Sequence, residues 1–137
     1  MQVLKARKRS TDRGPSNWFT GVVWLDELAI MPLPSHLRVH LVTFEPGART
    51  AWHSHPVGQV LYATHGVGRA QQRGNAPVEI HAGETVYVAP DEQHWHGAAP
   101  GHLFSHIAIQ EASTNGAETT WLEHVNEKEY AANASVE

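Results

Sequence analysis

Gly47-Ala-Arg-Thr-Ala-Trp-His53-Ser-His55-Pro-Val-Gly-Gln59 is the stretch on which the fold turns. It places two histidines at i and i+2, with a third candidate donor, Gln59, four residues on. A second stretch, Gly83-Glu-Thr-Val-Tyr-Val-Ala-Pro-Asp-Glu-Gln-His94-Trp-His96, supplies further imidazoles. Side chains two apart on extended chain share a face, so His53 and His55 can chelate one ion. Gln59 opens the next strand, where its amide oxygen can join them, and His94 completes the set from an adjacent strand. The two stretches read as halves of one metal site inside a small β-barrel.

Outward from these stretches the chain reads as strand after strand. Trp18 to Leu25 is aromatic and β-branched. Asp26 to Pro34 ends in Pro-Leu-Pro and reads as a loop. Leu37 to Glu45 is a strand with His40, Val42 and Phe44 on one face and Val39, Leu41 and Thr43 on the other. Apolar residues on both faces predict burial on both sides. Gln59 to His65 is a strand, Gly66-Val-Gly68 a tight turn, and Arg69 to Arg73 a returning hairpin partner. Short strands follow at 78–81, 85–88, 93–98, 101–111 and 118–122. Asn126 is an N-cap before good helix formers, which predicts a short C-terminal helix. Many short strands with regular turn signals predict one all-β domain, a sandwich or barrel. Residues 1–17 form an arm or edge strand, 18–125 the barrel and 126–137 the helix and tail.

Composition narrows the function. A chain of 137 residues, 41% hydrophobic, suits one domain with one core. A net charge of -4 provides no basic field for nucleic acid or anionic membrane. With no cysteine there is no disulfide, thiolate nucleophile or zinc–thiolate site. The N-terminus lacks the apolar centre of a signal peptide, and no apolar run approaches the roughly 20 residues that span a bilayer. The expectation is a cytoplasmic protein. Histidines number 11 against 10 lysines and arginines, and imidazole is the commonest metal ligand and proton carrier near neutral pH. His36, His81 and His124 lie in polar or turn-like context and are expected at the surface. Trp52, Trp95 and Trp121 are expected in packing, and Arg49 with Glu45 as a surface pair.

Three imidazoles and one amide are all neutral, so a divalent ion held by His53, His55, Gln59 and His94 keeps its full charge and is a strong Lewis acid. Such donors suit Mn, Fe, Ni or Zn, and ligand type does not choose among them. His96 shares a strand with His94, and His106 lies on the long strand 101–111 on the face of Phe104, Ala108 and Gln110. Either is placed to move a proton, with His40 a third candidate. Val42, Phe44, Leu61 and Ala108 are expected to form an apolar wall, and Gln110 shares the pocket. The other face of the long strand, Leu103, Ile107 and Ile109, needs cover that a second subunit would give, as a homodimer or homotetramer.

Gly47-x5-His53-x-His55-x3-Gln59-x6-Gly66 resembles the first cupin motif, with glutamine where many cupins have glutamate. Gly83-x5-Ala89-x-Asp91-x2-His94 resembles the second, with Ala89, Asp91 and Ala98 departing from the usual Pro, Gly and Asn. Pro-x-x-Trp-Phe-Thr-Gly at 15–21, Thr-Phe-Glu-Pro-Gly-Ala-Arg-Thr-Ala-Trp-His at 43–53, His-Trp-His-Gly-Ala-Ala-Pro at 94–100 and Trp-Leu-Glu-His-Val at 121–125 resemble the bacterial cupin-type, (R)-selective hydroxynitrile lyases. The resemblance implies a jelly-roll β-barrel, manganese as the metal with iron next, and cleavage or formation of cyanohydrins such as mandelonitrile. It favours His106 as the base that handles hydrogen cyanide. A metal-dependent cupin dioxygenase and a non-catalytic cupin that binds metal or a small molecule are the alternatives.

Overall fold

A computed structural model describes residues 1–135. A 3-10 turn, Ala6–Lys8, precedes the strands β1 (Thr11–Arg13), β2 (Phe19–Thr20), β3 (Val23–Ile30), β4 (Leu37–Phe44), β5 (Arg49–Thr50) and β6 (His53–Ser54). There follow β7 (Gln59–Gln72), β8 (Val78–His81), β9 (Thr85–Val88), β10 (His94–Ala98), β11 (Phe104–Glu111) and β12 (Thr120–Trp121), then one helical turn, α1 (Glu127–Tyr130). One sheet runs β1-β3-β4-β11-β7-β9, and the other joins β2, β5, β10, β7 and β8, with β6 beside β10 and β12 beside β6. All these pairings are antiparallel. The protein is mostly β with one short helix, its two sheets curled towards each other.

β7 belongs to both sheets. Its first half, from Gln59, pairs with β9 and β11; its second half, to Gln72, pairs with β8 and β10. The expected turn at 66–68 is therefore a bend within one strand, and Arg69–Gln72 continues outward rather than folding back. Glycine allows this. Gly66 has φ 76°, and a Cβ there would lie 1.8 Å from the carbonyl oxygen of Leu103. The expected loop at 26–34 is also corrected. β3 continues to Ile30 because it stays paired with β4 to that point, Asp26 opposite Leu41 and Ile30 opposite Arg38, while β1 covers its other edge only from Trp24 to Asp26. The prolines terminate the strand rather than replace it.

The core follows from alternation. Val42 and Phe44 of β4 and Phe104 and Ala108 of β11 point between the sheets and pack with Phe19, Val23, Leu61 and Ile80. A second cluster lies on the other face of β10, where Trp95 and Trp52 pack with Val125 and Tyr130. The C-terminal turn caps this cluster. Asn126 accepts from the Glu129 N–H while the Glu129 side chain accepts from the Asn126 N–H, a capping box. Arg49 is not a surface partner of Glu45. It is 3% exposed, donates to the carbonyl of Val125 and to Glu127, and lies against the Tyr130 ring. Glu45 instead accepts from the Trp24 indole. The last two residues of the tail expected at 126–137 lie outside the described residues. No helix among the described residues is long and apolar enough to cross a membrane.

Candidate metal centre

The alternation that sends Trp52 and Trp95 outward sends His53, His94 and His96 inward. β6 and β10 are paired with His53 opposite His94, and their ring centroids are 4.2 Å apart. His55 follows two residues later along extended chain, 5.0 Å from the His53 ring and 5.4 Å from His94. Each of these three rings is held by a backbone carbonyl. Nδ1 of His53 donates to Ala51 (2.8 Å), that of His55 to Glu118 (2.9 Å) and that of His94 to Glu92 (2.9 Å). A carbonyl only accepts, so each neutral ring carries its hydrogen on Nδ1 and its lone pair on Nε2. Ligating histidines are held in this way, with the ring N–H anchored and the other nitrogen free for the ion.

Gln59 opens β7 beside them. Its Nε2 donates to Oε1 of Gln110 (2.6 Å), and its own Oε1 lies 3.3 Å from Nε2 of His94. A second arrangement is also within reach, since His53, His94 and His96 each offer a nitrogen within 4.8 Å of the others. His96 differs from the other three rings, however. Its Nδ1 lies 2.9 Å from Nε2 of His106, an imidazole rather than a carbonyl.

Burial sets the charge of the cluster. Removal from water is the largest cause lowering the pKa of His53, His55, His94, His96 and His106, to about 4 for His94 and about 3 for His106. Mutual repulsion lowers His53 and His96 further. These imidazoles are neutral at pH 7, and their lone pairs are available. Nε2 of His55 and Nε2 of His96 are buried without a hydrogen-bond partner. Buried polar atoms are rarely left so, and an imidazole lone pair with no hydrogen-bond partner is free to meet a cation. Neutral, buried imidazoles suit a divalent metal ion, and the group of His53, His94 and His96 could hold one.

The cluster opens into a cavity of about 420 Å³. Val42, Ala108 and Gln110 line it, as does His40, which sits opposite Ala108 across the β4–β11 ladder. Phe44 and Leu61, expected in its wall, lie behind it in the core, 0% and 2% exposed. His96 lines the cavity. His106 does not, being fully buried between Phe44 and Phe104, with centroids at 5.5 and 5.6 Å. Trp121 also departs from the expectation. It lines the cavity, its ring 4.8 Å from His53 and stacked on Trp18 at 5.1 Å. Two tryptophans far apart in sequence carry no periodic signal of this. Glu118 and Thr119, which also face the cavity, lie on an irregular segment where no side-chain alternation could place them. His81 pairs with the exposed Glu79, and His124 lies near Thr20, both away from the cavity. A larger cleft of about 930 Å³, between β8, β9 and the tail, shares no lining residue with it.

Comparison with known proteins agrees with this architecture. The Cupin domain family matches residues 40–104. An (R)-mandelonitrile lyase of Granulicella tundricola is 47% identical over 130 residues, covering 95% of this chain and 98% of that one. Among solved structures, a cupin-like protein from Thermotoga maritima is 42% identical, covers 86% of this chain and 89% of its own, and superposes with a TM-score of 0.81. The polyketide cyclase RemF from Streptomyces resistomycificus, 13% identical and covering 95% of this chain and 90% of its own, has a TM-score of 0.74, a likeness of fold alone. Fold, anchored imidazoles and near-full-length identity converge: the chain belongs to the cupin family.

Proposed function

We propose that the protein is a metal-dependent hydroxynitrile lyase that cleaves or forms cyanohydrins of the mandelonitrile type. The observation that carries this reading is the 47% identity, over nearly the whole of both chains, to an (R)-mandelonitrile lyase. The ligand set in this reading is His53, His55, His94 and Oε1 of Gln59. It is preferred to one with His96 because carbonyls anchor the first three rings, whereas His96 is tied to a second imidazole. When bound there, a divalent cation, Mn2+ before Fe2+, Ni2+ or Zn2+, supplies Lewis acidity towards a substrate oxygen.

The chain's own groups handle the proton. His96 meets the cavity and His106 lies behind it, so the base assigned to His106 from sequence passes to His96. In the tautomer where His96 donates from Nδ1 to Nε2 of His106, Nε2 of His96 holds a lone pair and accepts the cyanohydrin hydroxyl proton. The oxygen's electrons form the carbonyl, the C–C bond breaks, and its pair leaves on cyanide. His96 then returns the proton, so that aldehyde and hydrogen cyanide leave together. His106 positions His96 and stabilises it while charged, and His40 is a further polar contact in the cavity. Val42, Ala108, Trp18 and Trp121 offer an apolar and aromatic surface to an aryl group. The protein works in this reading as a homodimer or homotetramer.

Release of cyanide and benzaldehyde from mandelonitrile by protein of known metal content tests the proposal. Metal-loaded protein that releases neither overturns it, and oxygen uptake with a phenolic or diketone substrate would move the reading to a dioxygenase.

A further inference from the structure

We propose that Glu118 is a positioning residue for the metal donor set, deciding which atom of the Gln59 amide meets the ion. This rests on the ligand reading above. A side-chain amide has an oxygen that accepts and a nitrogen that donates, and only the oxygen can serve as a metal ligand. Something must therefore fix the amide's direction. Glu118 does so through Gln110. A carboxylate has no hydrogen to give, so Nε2 of Gln110 donates to Oε1 of Glu118, at 2.9 Å. This turns Oε1 of Gln110 towards Gln59, whose Nε2 donates to it at 2.6 Å. Oε1 of Gln59 is then left facing Nε2 of His94 at 3.3 Å. The polarity of the whole relay is set at its outer end.

Glu118 itself is held from outside. Its Oε2 lies 3.8 Å from Nε of Arg38, so its two oxygens are turned to different partners. Its main chain does a second task, because the Glu118 carbonyl accepts from Nδ1 of His55 at 2.9 Å. One residue outside the regular strands thus orients a donor on each side of the site. Only the side-chain task is lost when the carboxylate is replaced.

Replacing Glu118 by glutamine makes the relay reversible. An amide at that position, able to donate, would let Gln110 turn over and Gln59 present its NH2 group to the ion. Mn2+ affinity, measured from the electron paramagnetic resonance of free Mn2+ at constant pH, is expected to fall by roughly 10- to 100-fold in Glu118→Gln. Gln110→Met, which cuts the relay without touching the loop, is expected to give a similar loss. A carboxylate at 59 has oxygens in both directions and accepts from a reversed Gln110. Gln59→Glu is therefore expected to improve affinity at least about 10-fold more in the Glu118→Gln background than alone. Thermal unfolding of chelator-treated proteins confirms that the variants compared are folded. Wild-type affinity in both Glu118→Gln and Gln110→Met, or additive effects in the double variant, would overturn the inference while leaving the metal site standing. An unmodified chain that binds no Mn2+ overturns the ligand reading, and this inference with it.

Discussion

His53 and His96 illustrate how one buried cluster divides its labour. Both rings are neutral and turned inward, but a carbonyl anchors the first and an imidazole the second. His53→Ala is expected to abolish metal binding and activity together, which elemental analysis and cyanide release would show in parallel. His96→Ala is expected to keep the metal and lower kcat by roughly 10²- to 10⁴-fold, the usual contribution of a placed proton-transfer group. His106→Ala is expected to cost roughly 10- to 100-fold in kcat with KM little changed. His106→Gln, which keeps an acceptor for Nδ1 of His96, is expected to recover much of that loss. Full activity in His106→Ala would remove it from the proton path.

The same burial destabilises the fold in acid. A histidine whose folded pKa lies below about 6.5 binds more protons unfolded than folded. Its stabilising contribution is complete above about pH 6.5 and is lost as pH falls through that value, continuing to about 4 for His94 and about 3 for His106. Chelator-treated protein is expected to lose roughly 2 kcal/mol for each of His94 and His106 between about pH 7.5 and about pH 5. Urea titrations at the two pH values would measure this, and equal midpoints would refute it.

At the scale of the element, β7 is the strand on which the sheets depend. Gly66 lets it bend where the Leu103 carbonyl approaches, and a side chain there has neither space nor a relaxed φ. Gly66→Ala is expected to destabilise the fold by about 3 kcal/mol, combining backbone strain with overpacking. A urea midpoint within error of wild type would show that the bend tolerates a Cβ. This element also marks the limit of the sequence. Gly-Val-Gly reads equally well as a hairpin turn and as a bend, and only the partners on each side, β9 and β11 then β8 and β10, distinguish them. The end of β3 was hidden for the same reason, since pairing with β4 as far as Ile30 outweighs nearby prolines. Alternation, by contrast, is local. It placed Val42 and Phe44 inward on β4 and His53 and His55 on one side of their segment, whereas bringing His94 to them took the pairing of β6 with β10. Alternation gives a direction but not a depth, so it could not separate His96 at the cavity from His106 behind it, nor Val42 in the wall from Phe44 beneath. Trp121 and Glu118 reach the site by long-range packing and an irregular segment.

The whole molecule presents one broad face that the chain itself leaves uncovered. Across the outer side of the first sheet, Leu41 stands beside Ile107 and Ile107 beside Tyr62. In the next row Val39, Ile109, Val60 and Tyr87 follow one another. Leu41, Val39, Ile107, Ile109 and Val60 are only half-buried, while Tyr62 and Tyr87 are exposed. Contiguous apolar rows over neighbouring strands are unusual on a monomer, and a face repeated by symmetry can bury itself against its own copy. The ladder separates this face from the cavity, because His106 and Ala108 alternate with Ile107 and Ile109 on β11. Assembly and metal binding should therefore be separable. Light scattering is expected to give a dimer or a dimer of dimers for the unmodified protein. Ile107→Glu, which sets a charge at the centre of the rows, is expected to shift it towards monomer while Mn2+ binding persists. A wild-type monomer at micromolar concentration would refute the dimer. Loss of metal in a folded Ile107→Glu monomer would show instead that the two faces of β11 are coupled.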